Sequence, residues 1–385
     1  MRILFIGHEA SRSGAPISLL RIIEYLKENL DDFSCEIMLV KGGPLVEEYK
    51  KFGRVINLNR VDNPYLWKNR IKNRVRRHLL PKFIKKYYKN YFDNFDLIFV
   101  NSSASLRFLD EIDFSTQTKK IIRVPELPFS INLLCREGEF ERNIHKFEHV
   151  ITGSEIARDS LIENFQIAQD KISVVYGAIN SDSFSKEEFN LRSELKIPVD
   201  SFIIGGSGRP NWGKGFDIFI QVCKEIVKRN RKIYFVWLGK DGEDGYLQQC
   251  LHDIEKLDLY NHLHIISHTQ NPEIYYKNFD VFFLSSRVDT FPLVVLENAS
   301  FEKPVICFDK SGGATEFAVL GGGIVVPYLD VDEVKNQILG FYNDREFLQK
   351  MGLQARKTLA DFTIEMSGTR VLEIIQKVME KNNSI

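Results

Sequence analysis

The 385-residue sequence predicts an α/β protein of two doubly wound domains. Each is expected to be a parallel sheet covered by helices on both faces, the two facing a central cleft. Three observations carry this. Short, continuously apolar runs alternate with segments of helical period along the whole chain. The alternation occurs as two series, joined by a polar stretch at 180–200 that reads as extended. The length suits two ordinary domains rather than one.

In the first series the apolar runs are 3–6, 35–40, 55–58, 97–100, 121–124, 150–152 and 172–175. The segment after the first run places Leu19, Leu20, Ile23 and Leu26 on one helical face. In the second series the runs are 202–206, 233–238, 263–266, 281–284, 304–308 and 323–326. The helix after its first strand carries Phe216, Phe219, Ile220, Cys223, Ile226 and Val227 at helical spacing. The expected divisions are a first domain at 1–180, a second at 181–362, and a last segment, 363–385. That segment holds a helix from about Thr363 to Lys381 that packs back on the first domain.

Composition narrows the function. Lys plus Arg equals Asp plus Glu at 52 each, which disfavours a uniformly basic nucleic-acid binder. The five cysteines are scattered, with no CxxC, so neither a disulfide framework nor a zinc knuckle is expected and the cytosol is the natural compartment. The run 3–6 is too short for a signal segment, and no apolar stretch reaches the ~18 residues of a membrane span.

Open parallel sheets bind ligands beyond the carboxyl ends of their strands, so the strand-to-helix loops are where chemistry belongs. The first, Gly7-His8-Glu9-Ala10-Ser11-Arg12-Ser13-Gly14-Ala15-Pro16, leads into a helix expected to start between Gly14 and Pro16. Its alternative reading is a plain turn. The loop Gly206-Ser207-Gly208-Arg209-Pro210-Asn211-Trp212-Gly213-Lys214-Gly215 sets two cations in a glycine-rich turn before a strong helix. Arg209 offers a planar fork and Lys214 a point charge, a combination suited to a pyrophosphate; otherwise they are two surface cations. In the segment 285–297, Pro292 is expected to start a helix, with free amides near Phe291, Leu293 and Val294 facing an anion. Asp289 precedes that helix and Glu297 lies inside it, where a carboxylate can accept two hydrogen bonds from a vicinal diol. The plainer reading is a favourable helix charge and an exposed side chain.

Taken in order, these segments resemble the family 4 glycosyltransferases, retaining enzymes of the GT-B fold, over essentially the whole chain. The glycine-rich first loop, Val150-Ile151-Thr152-Gly153-Ser154-Glu155, Val175-Tyr176-Gly177-Ala178-Ile179-Asn180, Gly208-Arg209 through Lys214-Gly215, and Asp289 through Glu297 into Lys303-Pro304-Val305 all match. The resemblance implies a retaining enzyme; with the two cations and the helix amides to stabilise the leaving group, neither a metal nor a cofactor is expected. It would transfer a sugar, of the hexosyltransferase type, from a nucleoside-diphosphate sugar to a hydroxyl of a cell-surface glycan or lipid-linked saccharide. Arg209 and Lys214 would bind the donor diphosphate and Glu297 the ribose hydroxyls. Asp289 and the amides of Phe291, Leu293 and Val294 would contact sugar and phosphate, and Gly14 would admit the diphosphate to the first domain. Arg209, Lys214 and Asp289 are thus the candidate catalytic residues. Two departures stand out. Aspartate occupies position 289 where the family has glutamate. Val124-Pro125-Glu126 stands where many members have His before Glu, leaving Glu126 as the acceptor-side candidate.

Segment 63–92 contains no acidic residue and ten Lys or Arg. Trp67, Ile71, Val75 and Leu79 step by four, and Phe83, Ile84, Tyr87, Tyr88 and Tyr91 continue the stripe after Pro81. A basic helix with such anchors can lie on an anionic bilayer, with Lys68, Arg70, Lys72, Arg74, Arg76, Arg77, Lys82, Lys85 and Lys86 joining Trp67 as the docking set. A cytoplasmic protein peripheral to the inner face of its membrane follows. A helical pair packed on the first domain, or a site for nucleic acid or a phosphorylated acceptor, are the competing readings. His262, His264 and His268 lack metal-site spacing, and Asp330 of Asp330-Val331-Asp332 reads as a helix cap rather than a metal ligand. Gly312-Gly313 with Glu316 reads as a further strand-to-helix turn. Other activities compatible with the fold are a sugar-nucleotide epimerase, a phosphorylase, or a non-catalytic membrane-associated binding protein.

Overall fold

The computed structural model describes residues 1–58, 88–112, 114, 116–240 and 245–380. The proposed membrane-docking residues, Trp67 through Lys86, lie outside them. The chain forms two compact units, Met1–Gly177 with Ile364–Ile385, and Ala178–Thr363.

Unit 1 is built on a sheet of β1 (Arg2–Gly7), β2 (Ser34–Leu39), β3 (Gly53–Asn57), β4 (Leu97–Asn101), β5 (Lys119–Val124), β6 (His149–Thr152) and β7 (Ile172–Val174). Their order is β3-β2-β1-β4-β5-β6-β7, and the pairs are parallel. Unit 2 holds β8 (Phe202–Ser207), β9 (Ile233–Lys240), β10 (Leu263–Ser267), β11 (Val281–Leu284), β12 (Val305–Phe308) and β13 (Gly323–Val326). They run parallel in the order β10-β9-β8-β11-β12-β13. Every residue of β4 and of β8 is buried, which is why these strands run apolar without alternation up to their last residues, Asn101 and Ser207.

Strand order reverses between β1 and β4 in unit 1 and between β8 and β11 in unit 2. At such a switch point the two following loops diverge and leave a crevice. In unit 2 those loops are the Arg209–Lys214 loop and the loop carrying Asp289.

The core of unit 2 is aromatic. Phe216, Phe219 and Trp237 pack against β8, where a Cβ on Gly206 would meet Trp237 at 2.6 Å and Phe219 at 2.7 Å. The buried Trp237 indole donates to the Gly208 carbonyl at 2.8 Å, so the core reaches the first residue of the loop. In unit 1 the last helix, Ile364–Glu380, lays Val371, Ile374, Ile375 and Val378 into the cluster of Ile3, Phe5, Leu19 and Ile23. Gly368 allows this: a Cβ there would fall 2.2 Å from the Tyr25 ring, whose hydroxyl meets Thr369 Oγ1 at 2.8 Å.

Local differences from the sequence reading have local causes. The joining stretch is not wholly extended, because Asn190 accepts a hydrogen bond from the Ser193 amide and caps a short helix, Leu191–Glu194. Pro292 keeps ψ at 119° and precedes the helix, which runs Leu293–Ala299. In agreement with the sequence reading, Asp330 accepts from the Glu333 amide at 2.9 Å and caps the Val331–Asn343 helix. His262 and His264 stack on Tyr234, and burial lowers both pKa values below the ordinary histidine range.

Candidate functional site

The switch-point crevice of unit 2 begins where β8 ends. Gly208, at φ +134°, turns the chain outward, and Gly215, at φ +65°, turns it back into the Phe216–Val227 helix. Gly215 is fixed by more than its dihedral. A Cβ there would sit 1.9 Å from the Ser285 carbonyl oxygen, so only glycine lets this loop press against the loop after β11.

The two loops are bonded to each other along their length. Ser285 Oγ donates to the Lys214 carbonyl at 2.9 Å, and the Arg287 amide donates to the Gly213 carbonyl at 2.8 Å. The Lys214 ammonium pairs directly with the Asp289 carboxylate. Asn211 Oδ1 accepts from the Lys214 amide at 2.9 Å, shaping the turn. A third loop, after β12, closes the row: the Asp289 amide donates to Ser311 O at 2.8 Å and the Gly313 amide to Thr290 O at 2.9 Å.

Arg209 is exposed on this loop, whereas the Lys214 side chain is only 31% exposed. The Phe291 ring stacks on Phe362 at 5.4 Å, so its side chain is committed to packing within unit 2. Leu293 and Val294 form the first turn of the Leu293–Ala299 helix, and Glu297 lies farther along it, partly buried. The buried Tyr276 hydroxyl meets Ser207 Oγ at 2.9 Å, and its pKa is raised by burial and by the Glu297 charge. Ser207, Tyr276 and Glu297 are therefore neighbours at the end of β8.

In unit 1, Gly14 is exposed at the first position of the Gly14–Asn29 helix, and nothing lies within 4 Å of where its Cβ would be. The protein itself does not demand glycine there. Glu126 follows β5. It accepts from the Ser102 hydroxyl and, at 3.2 Å, from the Ser103 amide. Burial pushes its pKa above the usual carboxylate range against these hydrogen bonds and the nearby Arg123 charge. Burial also lowers Arg123, to about 10, while its guanidinium donates to Asn101 Oδ1 at 3.2 Å.

The geometry also brings in residues outside the sequence-read set. Asp217 and Arg287 form a two-pronged ion pair at 2.8 and 2.7 Å, and Tyr246 donates to the same carboxylate at 2.8 Å. Asp217 reads in sequence as an ordinary first-turn acid, and only the adjacency of β8 and β11 reveals its partner.

Residues 187–358 match the family model described as Glycosyl transferases group 1. Arg209, Lys214, Asp289, Phe291, Leu293, Val294 and Glu297 all fall within the matched residues, whereas Gly14 and Glu126 lie outside them. The chain is similar to an O-antigen biosynthesis glycosyltransferase, WclY, of Escherichia coli. The two are 28% identical over 137 residues, 35% of this chain and 37% of that protein. It is similar to a capsular polysaccharide biosynthesis glycosyltransferase, CapM, of Staphylococcus aureus, 25% identical over 213 residues, 54% of this chain and 56% of that one. The chain thus spans about 37% and 56% of the lengths of these relatives. In structure it resembles HepE of Anabaena, solved in complex with UDP. The TM-score is 0.79 at 17% identity, covering 98% of this chain and 100% of that one. The fold is that of the GT-B glycosyltransferases, two parallel-sheet Rossmann-like units.

Proposed function

We propose that this protein is a metal-independent retaining glycosyltransferase of family 4. It would move a sugar from a nucleoside-diphosphate donor to a hydroxyl of a cell-surface glycan or lipid-linked saccharide. The observation that carries this reading is the pair of stapled loops at the unit 2 switch point, which joins Lys214, on the loop that also carries Arg209, to Asp289, within the residues that match the group 1 model. WclY and CapM, glycosyltransferases of O-antigen and capsular polysaccharide biosynthesis, and HepE, solved in complex with UDP-glucose, favour the same substrates.

In the proposed reaction the bond from the sugar C1 to the diphosphate oxygen breaks, and its electron pair leaves with the nucleoside diphosphate. Arg209, Lys214 and the amides of Phe291, Leu293 and Val294 stabilise the negative charge that develops there, so no metal is called for. The acceptor oxygen attacks the same face of C1, and its proton passes to the departing phosphate oxygen. Glu297 holds the ribose diol, Asp289 the sugar, Gly14 leaves room for the diphosphate, and Glu126 stands on the acceptor side. The Asp289 carboxylate is engaged by the Lys214 ammonium, which favours front-face attack over a covalent intermediate.

A lipid-linked acceptor calls for a membrane surface. The basic, aromatic stretch 63–92 is the proposed contact with anionic lipid at the inner face of the cytoplasmic membrane. Among the described residues, no helix is long and apolar enough to cross a membrane. A screen for slow hydrolysis of nucleotide sugars in the absence of acceptor tests the donor reading. Release of nucleoside diphosphate from at least one donor is expected; an altered sugar still attached to its nucleotide, or no turnover of any donor, overturns it. Co-sedimentation with liposomes tests the membrane reading, which fails if neutral and anionic vesicles bind equally.

A further inference from the structure

Arg287 sits two residues before Asp289, yet its contacts run to the neighbouring loop. Its Nη1 donates to Asp217 Oδ1 at 2.8 Å and to the Trp212 carbonyl at 2.9 Å, and its Nη2 to Asp217 Oδ2 at 2.7 Å. Its guanidinium lies over the Trp212 ring, 5.0 Å from the centroid, and its amide holds the Gly213 carbonyl. These partners lie at 212, 213 and 217, so they bracket Lys214 on both sides. The side chain is only 12% exposed, which leaves it little surface to offer a ligand. The far end of the clasp is anchored too. The Tyr246 hydroxyl donates to Asp217 Oδ1 at 2.8 Å and accepts from the Asp217 amide at 3.2 Å.

We infer that Arg287 and Asp217 are positioning residues that hold Lys214 in register with Asp289, so that the crevice is shaped for a diphosphate before one arrives. The inference rests on the donor reading above and adds to it the device that sets the geometry of Lys214. The physical reason is preorganisation. A lysine side chain is long and flexible, so its usefulness toward a phosphate depends on where its backbone is fixed. A guanidinium fork matched to a carboxylate fixes direction as well as distance, which an ammonium at the same place cannot do.

A structural brace alone would weaken every ligand alike, whereas a clasp for the diphosphate must discriminate by phosphate number. Affinities for UDP, GDP and ADP, each beside its monophosphate, are therefore measured by calorimetry on the full chain and on Arg287→Lys, Asp217→Asn and Tyr246→Phe. For whichever diphosphate the wild type binds, Arg287→Lys and Asp217→Asn are expected to lose about tenfold or more in affinity while the monophosphate changes by less than about twofold. Both should also lower kcat for donor hydrolysis at saturating donor. Tyr246→Phe, which spares the fork, should lose less than about threefold. Asp217→Asn is isosteric and keeps the test open should Arg287→Lys fold poorly. Unchanged diphosphate affinity in folded variants, or equal losses for mono- and diphosphate, overturns the clasp and leaves the donor reading standing. A wild type that binds no diphosphate overturns both.

Discussion

The ammonium of Lys214 and the carboxylate of Asp289 form a direct ion pair between the loop after β8 and the loop after β11. A donor diphosphate that recruits Lys214 must therefore compete with a carboxylate already in place. Asp289→Asn removes the competitor and keeps the shape. Affinity for the free nucleoside diphosphate is expected to rise by about threefold to tenfold. Sugar transfer should nevertheless fall by about a hundredfold, because the proposed sugar contact is lost. Calorimetry and initial rates on the same preparation read both; weaker diphosphate binding would contradict the competition.

Removing either cation should act on chemistry rather than on folding. Arg209→Ala and Lys214→Ala are each expected to lower turnover by about 10²–10³-fold, the scale of losing one preorganised charge at a developing oxyanion. Melting temperatures should stay near wild type, since Arg209 is exposed and Lys214 is partly so. Near-normal rates in either variant would remove the leaving-group argument.

Gly215 offers a stability test of the loop contact. Alanine there must hold φ near +65° and place a methyl group 1.9 Å from the Ser285 carbonyl oxygen. The left-handed conformation alone costs about 1–2 kcal/mol. With the displaced loop, Gly215→Ala should lose about 2–4 kcal/mol in urea unfolding. Gly245→Ala is the matched control: nothing lies within 4 Å of its Cβ position in the Gly245–Lys256 helix. It should be neutral or stabilising by about 0.5 kcal/mol.

The raised pKa of Glu126 gives a pH signature. A carboxyl whose folded pKa lies above its unfolded value binds more protons folded than unfolded. Its contribution is thus fully favourable below the unfolded value of 4.5 and is lost as pH rises through the folded pKa. Glu126→Gln cannot ionise, so its stability relative to wild type should improve from pH 4 to pH 8. Chemical denaturation across that range checks the sign, and a constant difference would argue against the shift.

Much of the fold was legible because parallel strands buried on both faces leave uninterrupted apolar runs. Each run proposed as a strand is one. Their ends were less legible. Arg2, Lys119 and Lys240 extend their strands because the backbone ladder continues past the apolar residues, and polarity does not mark where pairing stops. In the candidate site, Arg209, Lys214 and Asp289 were visible as loop chemistry. The Asp217–Arg287 pair was not, because its members are 70 residues apart and meet only because β8 lies beside β11. Tyr276 escaped for a similar reason: it occupies a short helix whose sequence looks like core, and its hydroxyl gains meaning only from Ser207 and Glu297.

The helix Ile364–Glu380 completes the hydrophobic cluster of unit 1 although all of unit 2 separates it from the rest of that cluster in sequence. During synthesis the ribosome therefore delivers the whole of unit 2 before unit 1 has its full set of apolar side chains. The contiguous unit can finish folding first. The amino-terminal one must wait, with a face of its sheet unsealed, until Val378 has cleared the exit tunnel. Chaperone dependence in this protein should accordingly track the first half of the chain rather than the second.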